Sequence, residues 1–217
     1  MPAQIPIMGG RMVFKVWDED TLSDDVVGAI VLNSKDIIGD KNGSYFWKNV
    51  YGAPLAASGD MADSMNENPE LGSLWKGRIL MQVLAEKTEK PCLKVADISK
   101  EEVEKAAVYL QDRTYQIMVQ VNSSIALPFP DTKYEVVVRI GEKEIKTGAP
   151  SFNKGRYNRY NFKTTPEQAE YKAPYLDAFD LGQVFIYLRG RSTLKGEQNV
   201  CYYRASVRNF MDMDPKI

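Results

Sequence analysis

With 217 residues, 26% of them charged and 44% hydrophobic, the chain has the make-up of a globular protein that buries a core, as one large domain or two small ones. A net charge of −1 argues against a general affinity for nucleic acid, and the absence of histidine removes the commonest general base and zinc ligand. No apolar run reaches the length of a bilayer, the opening MPAQIPIMGG lacks the pattern of a signal peptide, and two distant cysteines, Cys92 and Cys201, fit a reducing compartment.

In chain order, RMVFKVW (11–17) and VVGAIVLN (26–33) read as strands, joined by an acidic loop. YFWKNVYG (45–52) is an aromatic strand ending in a turn, and WKGRILMQVLAE (75–86) is another strand. Between them, residues 55–73 are small, polar and poorly periodic, which predicts a long surface loop. Residues 97–112 change period. Ser99 and Glu102 form a capping box, and Val103, Ala106, Ala107 and Leu110 recur at helical spacing. That stripe is expected to pack on a sheet. A second β block follows, with strands at 115–121, 134–140, 143–148, 183–190 and 199–207 separated by Gly and Pro turns. The expected fold is mostly β, an antiparallel sandwich type, with a first block over 1–96, a helical linker over 97–113 and a second sandwich over 114–217. Trp17, Trp47 and Trp75 are expected to serve core or interface packing.

The acidic loop carries the first candidate site. Asp18 and Asp20 are spaced i, i+2 where a strand runs into a loop, and Asp24 and Asp25 stand where the next strand begins. Carboxylates converging from two ends of a loop suit a hard cation such as calcium; the plainer alternative is a solvated hairpin loop that keeps the edge soluble. The second candidate is FNKGRYNRYNFK (152–163), where Lys154, Arg156, Arg159 and Lys163 interleave with Tyr157, Tyr160 and Phe162. That mixture suits an anionic membrane surface or single-stranded RNA, and equally a half-buried strand with its aromatics inside and its cations in water. The acidic remainder of the chain ranks nucleic acid last. No GxSxG, GxxxxGK[ST] or HExxH occurs, so an enzyme is not the expected class.

VFKVWDEDTLSDDVVGAIVL resembles the latter part of a C2 domain, where a strand ending V-x-D-x-D precedes a calcium-binding loop. FWKNVYGAP followed by WKGRILMQVLAE is similar to the end of a C2 domain in the ferlin family, large proteins of membrane fusion and trafficking. GQVFIYLRG and NVCYYRASVRNF resemble the ferlin segment known as FerB; the likeness is clearest over 11–86 and weaker over 115–217. The resemblance implies calcium at Asp18, Asp20 and Asp25, with Asp24 beside them, and a membrane-inserting Leu22 at the loop tip. The interval from Asp20 to Asp25 is one residue shorter than the common pattern, and residues 1–10 contain no acid where a first loop supplies them. One loop does not readily fill a shell of about 6–8 oxygens. Either the chain is a fragment of a longer multi-C2 protein or the second block supplies the missing strands, and that block's own complete strand pattern favours the fragment.

The resulting expectation is a cytoplasmic, membrane-peripheral module that binds anionic phospholipid, with calcium as a possible aid. The alternative is a calcium-independent scaffold that binds a protein partner or another segment of a longer parent chain.

Overall fold

A computed structural model describes residues 10–19, 24–39, 42–55, 57–86, 99–174, 182–192 and 196–210. The chain is mostly β, in antiparallel sheets with a few short helices. It divides into two compact units, Met1–Asp112 with Pro174–Asp180 and Arg113–Ala173 with Leu181–Ile217. No helix among the described residues is long and apolar enough to cross a membrane.

The first unit holds β1 (Arg11–Asp18), β2 (Asp25–Asn33), α1 (Ser34–Ile38), β3 (Tyr45–Gly52), α2 (Asp60–Glu67), β4 (Leu74–Gln82) and α3 (Lys100–Ala107). The four strands form a meander in sequence order. Alternation sets its faces: Met12 pairs with Leu32 and Phe46 with Met81, and these residues join Ile30, Ile37 and Val50 in one apolar core. β2 is apolar on both faces because Ala29 is also fully buried. At Gly28 β2 lies close against β3: a Cβ there would sit 2.6 Å from a Val50 methyl and 2.9 Å from the Tyr51 carbonyl.

The stretch expected as a loop over 55–73 contains α2 instead. A helix of eight residues offers little periodicity, and here only Ala62 is fully buried. Its hold on the sheet is largely polar. Asn66 accepts a hydrogen bond from the Ala53 amide at 2.7 Å, Glu67 pairs with Lys15 at 2.6 Å, and Glu70 just beyond the helix pairs with Arg11. Such contacts leave no mark in a hydrophobic pattern.

α3 starts at the expected box: the Glu102 amide donates to Ser99 Oγ at 3.2 Å and the Ser99 amide donates to Glu102 at 2.8 Å. The expected stripe does not pack. Val103 and Leu110 are 59% and 57% exposed, and Ala107 is exposed as well. The contacts run through the backbone, where Tyr45 and Trp47 of β3 donate to the carbonyls of Glu102 (3.1 Å) and Tyr109 (2.9 Å). Two aromatic donors on a strand need acceptors, and the helix and the 3₁₀ turn Val108–Leu110 supply them with main-chain oxygens. Ala106 and Tyr109 therefore face inward more than Val103 does. Trp75 likewise donates to Asn49 at 2.9 Å, whereas Trp17, expected to pack, is 57% exposed at the end of β1.

The second unit contains β5 (Asp112–Gln116), β6 (Gln120–Ile125), β7 (Tyr134–Ile140), β8 (Lys143–Lys146), β9 (Phe152–Lys154), β10 (Tyr157–Lys163), α4 (Pro166–Ala169), β11 (Glu170–Pro174), β12 (Gln183–Ser192) and β13 (Gly196–Ser206). A four-stranded sheet in the order β13-β12-β7-β8 accompanies a β6-β10-β9 sheet and a β11-β5 pair. Val138, Ile145 and Val184 from the larger sheet pack with Ile117, Val119 and Phe162. The strand expected over 115–121 is broken in two, because residues 117–119 leave β5 to bond elsewhere: the Ile117 amide donates to Ala169 at 2.8 Å and the Val119 amide to Thr164 Oγ1 at 3.1 Å.

Candidate functional site

The acidic loop is a hairpin end. Asp18 and Asp25 are the last cross-strand pair of β1 and β2, just beyond a bulge at Val16/Trp17, and Asp24 immediately precedes β2; all three are exposed. Asp20 and Leu22 lie outside the described residues. Among the described residues no three acidic side chains gather into a metal-binding group. Two or three carboxylates fall short of the about 6–8 oxygens calcium takes, so the described residues alone do not compose a calcium shell.

The basic-aromatic run is a second hairpin. β9 and β10 pair Lys154 with Tyr157, leaving Gly155 and Arg156 as the two-residue tip, and Gly155 takes φ +57°, a conformation that favours glycine. The segment after β6 clamps this tip. The Gly155 amide donates to the Asp131 carboxylate at 2.7 Å, the Asp131 amide returns to the Gly155 carbonyl at 2.6 Å, and the Leu127 amide reaches the Arg156 carbonyl at 3.3 Å. Asp131, the acid bonded to the tip, is thereby occupied with backbone.

Register sorts the side chains. Tyr157 lies between Lys154 and Ile125, and Arg159 lies between Phe152 and Ser123. Residues directly opposite one another share a sheet face, so these six form two adjacent rows on one side. Lys154, Arg156, Arg159 and Lys163 are all exposed. Ile125 is 72% exposed and Phe152 46%, while Phe129 on the clamping segment is 63% exposed. The Arg159 guanidinium lies 5.8 Å from the Phe152 ring centre and 6.0 Å from that of Tyr157, and its Nε donates to the Tyr157 hydroxyl at 3.3 Å. That hydrogen bond from Arg159 holds the Tyr157 hydroxyl below its ordinary value.

The opposite face of β10 is structural. Asn158 is fully buried and bonded to Asn153 (2.9 Å) and the Thr132 carbonyl (3.2 Å), and the buried Tyr160 hydroxyl donates to the Tyr134 carbonyl at 3.1 Å. A bulge at Asn161, with φ +51°, turns Phe162 toward the core while leaving Lys163 in water. The half-buried-strand reading holds for Tyr160 and Phe162, which pack inward, whereas Tyr157 is half-buried beside the exposed Arg159. Ile125 and Phe129 went unread in the sequence, although an isolated Phe between prolines in ALPFPD is a signal of an exposed apolar tip. No protein-family model, curated protein or solved structure matches the chain.

Proposed function

We propose that the chain is a non-enzymatic β module that docks peripherally on anionic phospholipid membranes through the β9–β10 hairpin face, as part of a ferlin-like C2 protein of membrane trafficking or fusion. The observation that carries this reading is the coincidence of Lys154, Arg156 and Arg159 with exposed Ile125, Phe129 and Phe152 and half-buried Tyr157 on one hairpin and its clamp. Cations at headgroup level contribute about 1 kcal/mol each, and apolar side chains between them gain by leaving water. Lys163, beyond the bulge, is exposed opposite Gln120 and lies outside those two rows.

Replacing Lys154, Arg156 and Arg159 by Gln removes about 3 kcal/mol of attraction, roughly a hundredfold in partition. The check is flotation with phosphatidylserine vesicles. The triple variant should remain in solution at vesicle concentrations that float the wild type, and neither protein should float with neutral phosphatidylcholine. Equal flotation of the two proteins rejects the face.

Calcium has no step in this reading. A second reading, a calcium-independent scaffold that binds a protein partner, is favoured by one observation: α3 and the turn after it leave Val103, Val108 and Leu110 mostly exposed. Replacing these three by Ser or Gln leaves vesicle binding intact under the first reading and removes partner capture under the second.

A further inference from the structure

The core of the second unit is not filled. A cleft of about 580 Å³ runs between residues 116–123 on one side and β7, β12 and the 3₁₀ turn Val207–Phe210 on the other. Its walls are mainly aliphatic, with Ile117, Val119, Val138, Ile140, Val184 and Ile186 the principal ones. None of the lining residues is charged; Gln116, Gln120 and Ser123 are the polar ones. Met118 and Phe210 also line it and are 79% and 59% exposed, so the cleft opens to water beside them. Close-packed interiors do not leave voids of this size, and the volume falls within the range of about 300–1,000 Å³ typical of small-molecule sites.

We infer that the cleft binds one long-chain fatty acid, with its chain between the sheets and its carboxylate at the mouth. Three observations select this occupant. An uncharged, aliphatic lining suits a chain without polar groups. At about 30 Å³ for each water-sized group, the volume suits roughly 16–18 carbons. Cations stand beside the lining by register and sequence: Lys163 is opposite Gln120 across the β6–β10 pair and Arg208 follows Val207, while Glu135, the acid beside Val136, lies 3.6 Å from Arg189. This inference goes beyond membrane docking and does not rest on it, since none of Lys154, Arg156, Tyr157 and Arg159 lines the cleft.

The test uses the full chain and the fluorescent fatty acid cis-parinaric acid. The wild type should bind it saturably at one per chain, and palmitate should displace it. Val119→Phe and Ile186→Phe, each occupying part of the cleft, should weaken binding at least tenfold while circular dichroism and Tm show a folded protein. Lys163→Gln should weaken binding of parinaric acid severalfold but leave that of a long-chain alcohol unchanged. Where a filling variant fails to fold, hydrogen exchange on the wild type decides: palmitate should protect amides 117–121 and 184–186. Absence of saturable binding overturns the inference, as does undiminished binding by the folded variants or palmitate protection elsewhere. A wild-type dimer that the Phe substitutions dissociate, without any fatty-acid binding, would assign the cleft to a second copy of the chain instead.

Discussion

Asp18 and Asp25 face each other as the closing pair of the first hairpin, and like charges directly opposite across two strands disfavour the pairing. Asp25→Asn should therefore raise the Tm by about 1–4 °C at low salt, with the gain shrinking as salt screens the pair. The contrary result, a lower Tm for Asp25→Asn, would mean that these carboxylates are held by a favourable partner. The same residues bear on calcium: titration calorimetry with millimolar calcium should give no heat on this chain, and a saturable exotherm lost in Asp18→Asn would show that residues beyond the described ones complete a shell. At the second hairpin, Gly155→Ala introduces no clash, because nothing lies within 4 Å of the added carbon, so its cost is backbone conformation alone. About 1 kcal/mol is expected from the positive φ, read as a shift in the urea midpoint without a change in slope.

The elements show which patterns a sequence carries. β2, β3, β7 and β12 were legible because each is a run of apolar and aromatic residues bounded by turn residues, and the register later found simply pairs those runs. α3 was legible through its capping box, which is local chemistry between Ser99 and Glu102. What failed was its orientation: spacing alone favoured Val103 and Leu110, but indole and phenol donors on β3 turned the helix so that its carbonyls face the sheet. α2 was missed because it docks mainly by polar contacts, and the break after β5 was missed because its hydrogen bonds reach residues more than forty positions away, at Thr164 and Ala169. On the larger sheet, Arg139 and Lys146 flank Glu144. Burial by itself would raise that carboxyl, but hydrogen bonds from Lys146 and Arg139 outweigh it and hold it below 4.5, its ordinary value. The unfolded chain then binds the proton first as pH falls, so this contribution is present above about pH 4.5 and is lost as pH drops through the folded value. Glu144→Gln should lower the Tm at pH 7, and the gap from wild type should narrow as pH falls below 4.5. A gap that stays constant across that range would rule the ion network out as its source.

For the whole molecule, the sequence disclosed a β-rich protein with a basic-aromatic run, but not which of those side chains would share a surface. That depended on three things no local pattern states: the register between β9 and β10, the bulge at Asn161, and the clamp by Asp131 that brings Phe129 beside the tip. The ferlin resemblance implies membrane contact through the acidic loop, whereas the docking face proposed above carries the opposite charge on a different hairpin. Docking by that hairpin should weaken steeply with salt, because exposed cations act on anionic headgroups within a Debye length of about 10 Å at 0.1 M. Hydrogen exchange with and without phosphatidylserine vesicles tests the claim most directly. Docking as proposed protects amides of residues 123–131 and 152–159 on vesicle addition and leaves those of β1, β2 and α3 unchanged. Vesicle binding that protects the β1–β2 hairpin or the α3 region, with 152–159 exchanging as in solution, would contradict it.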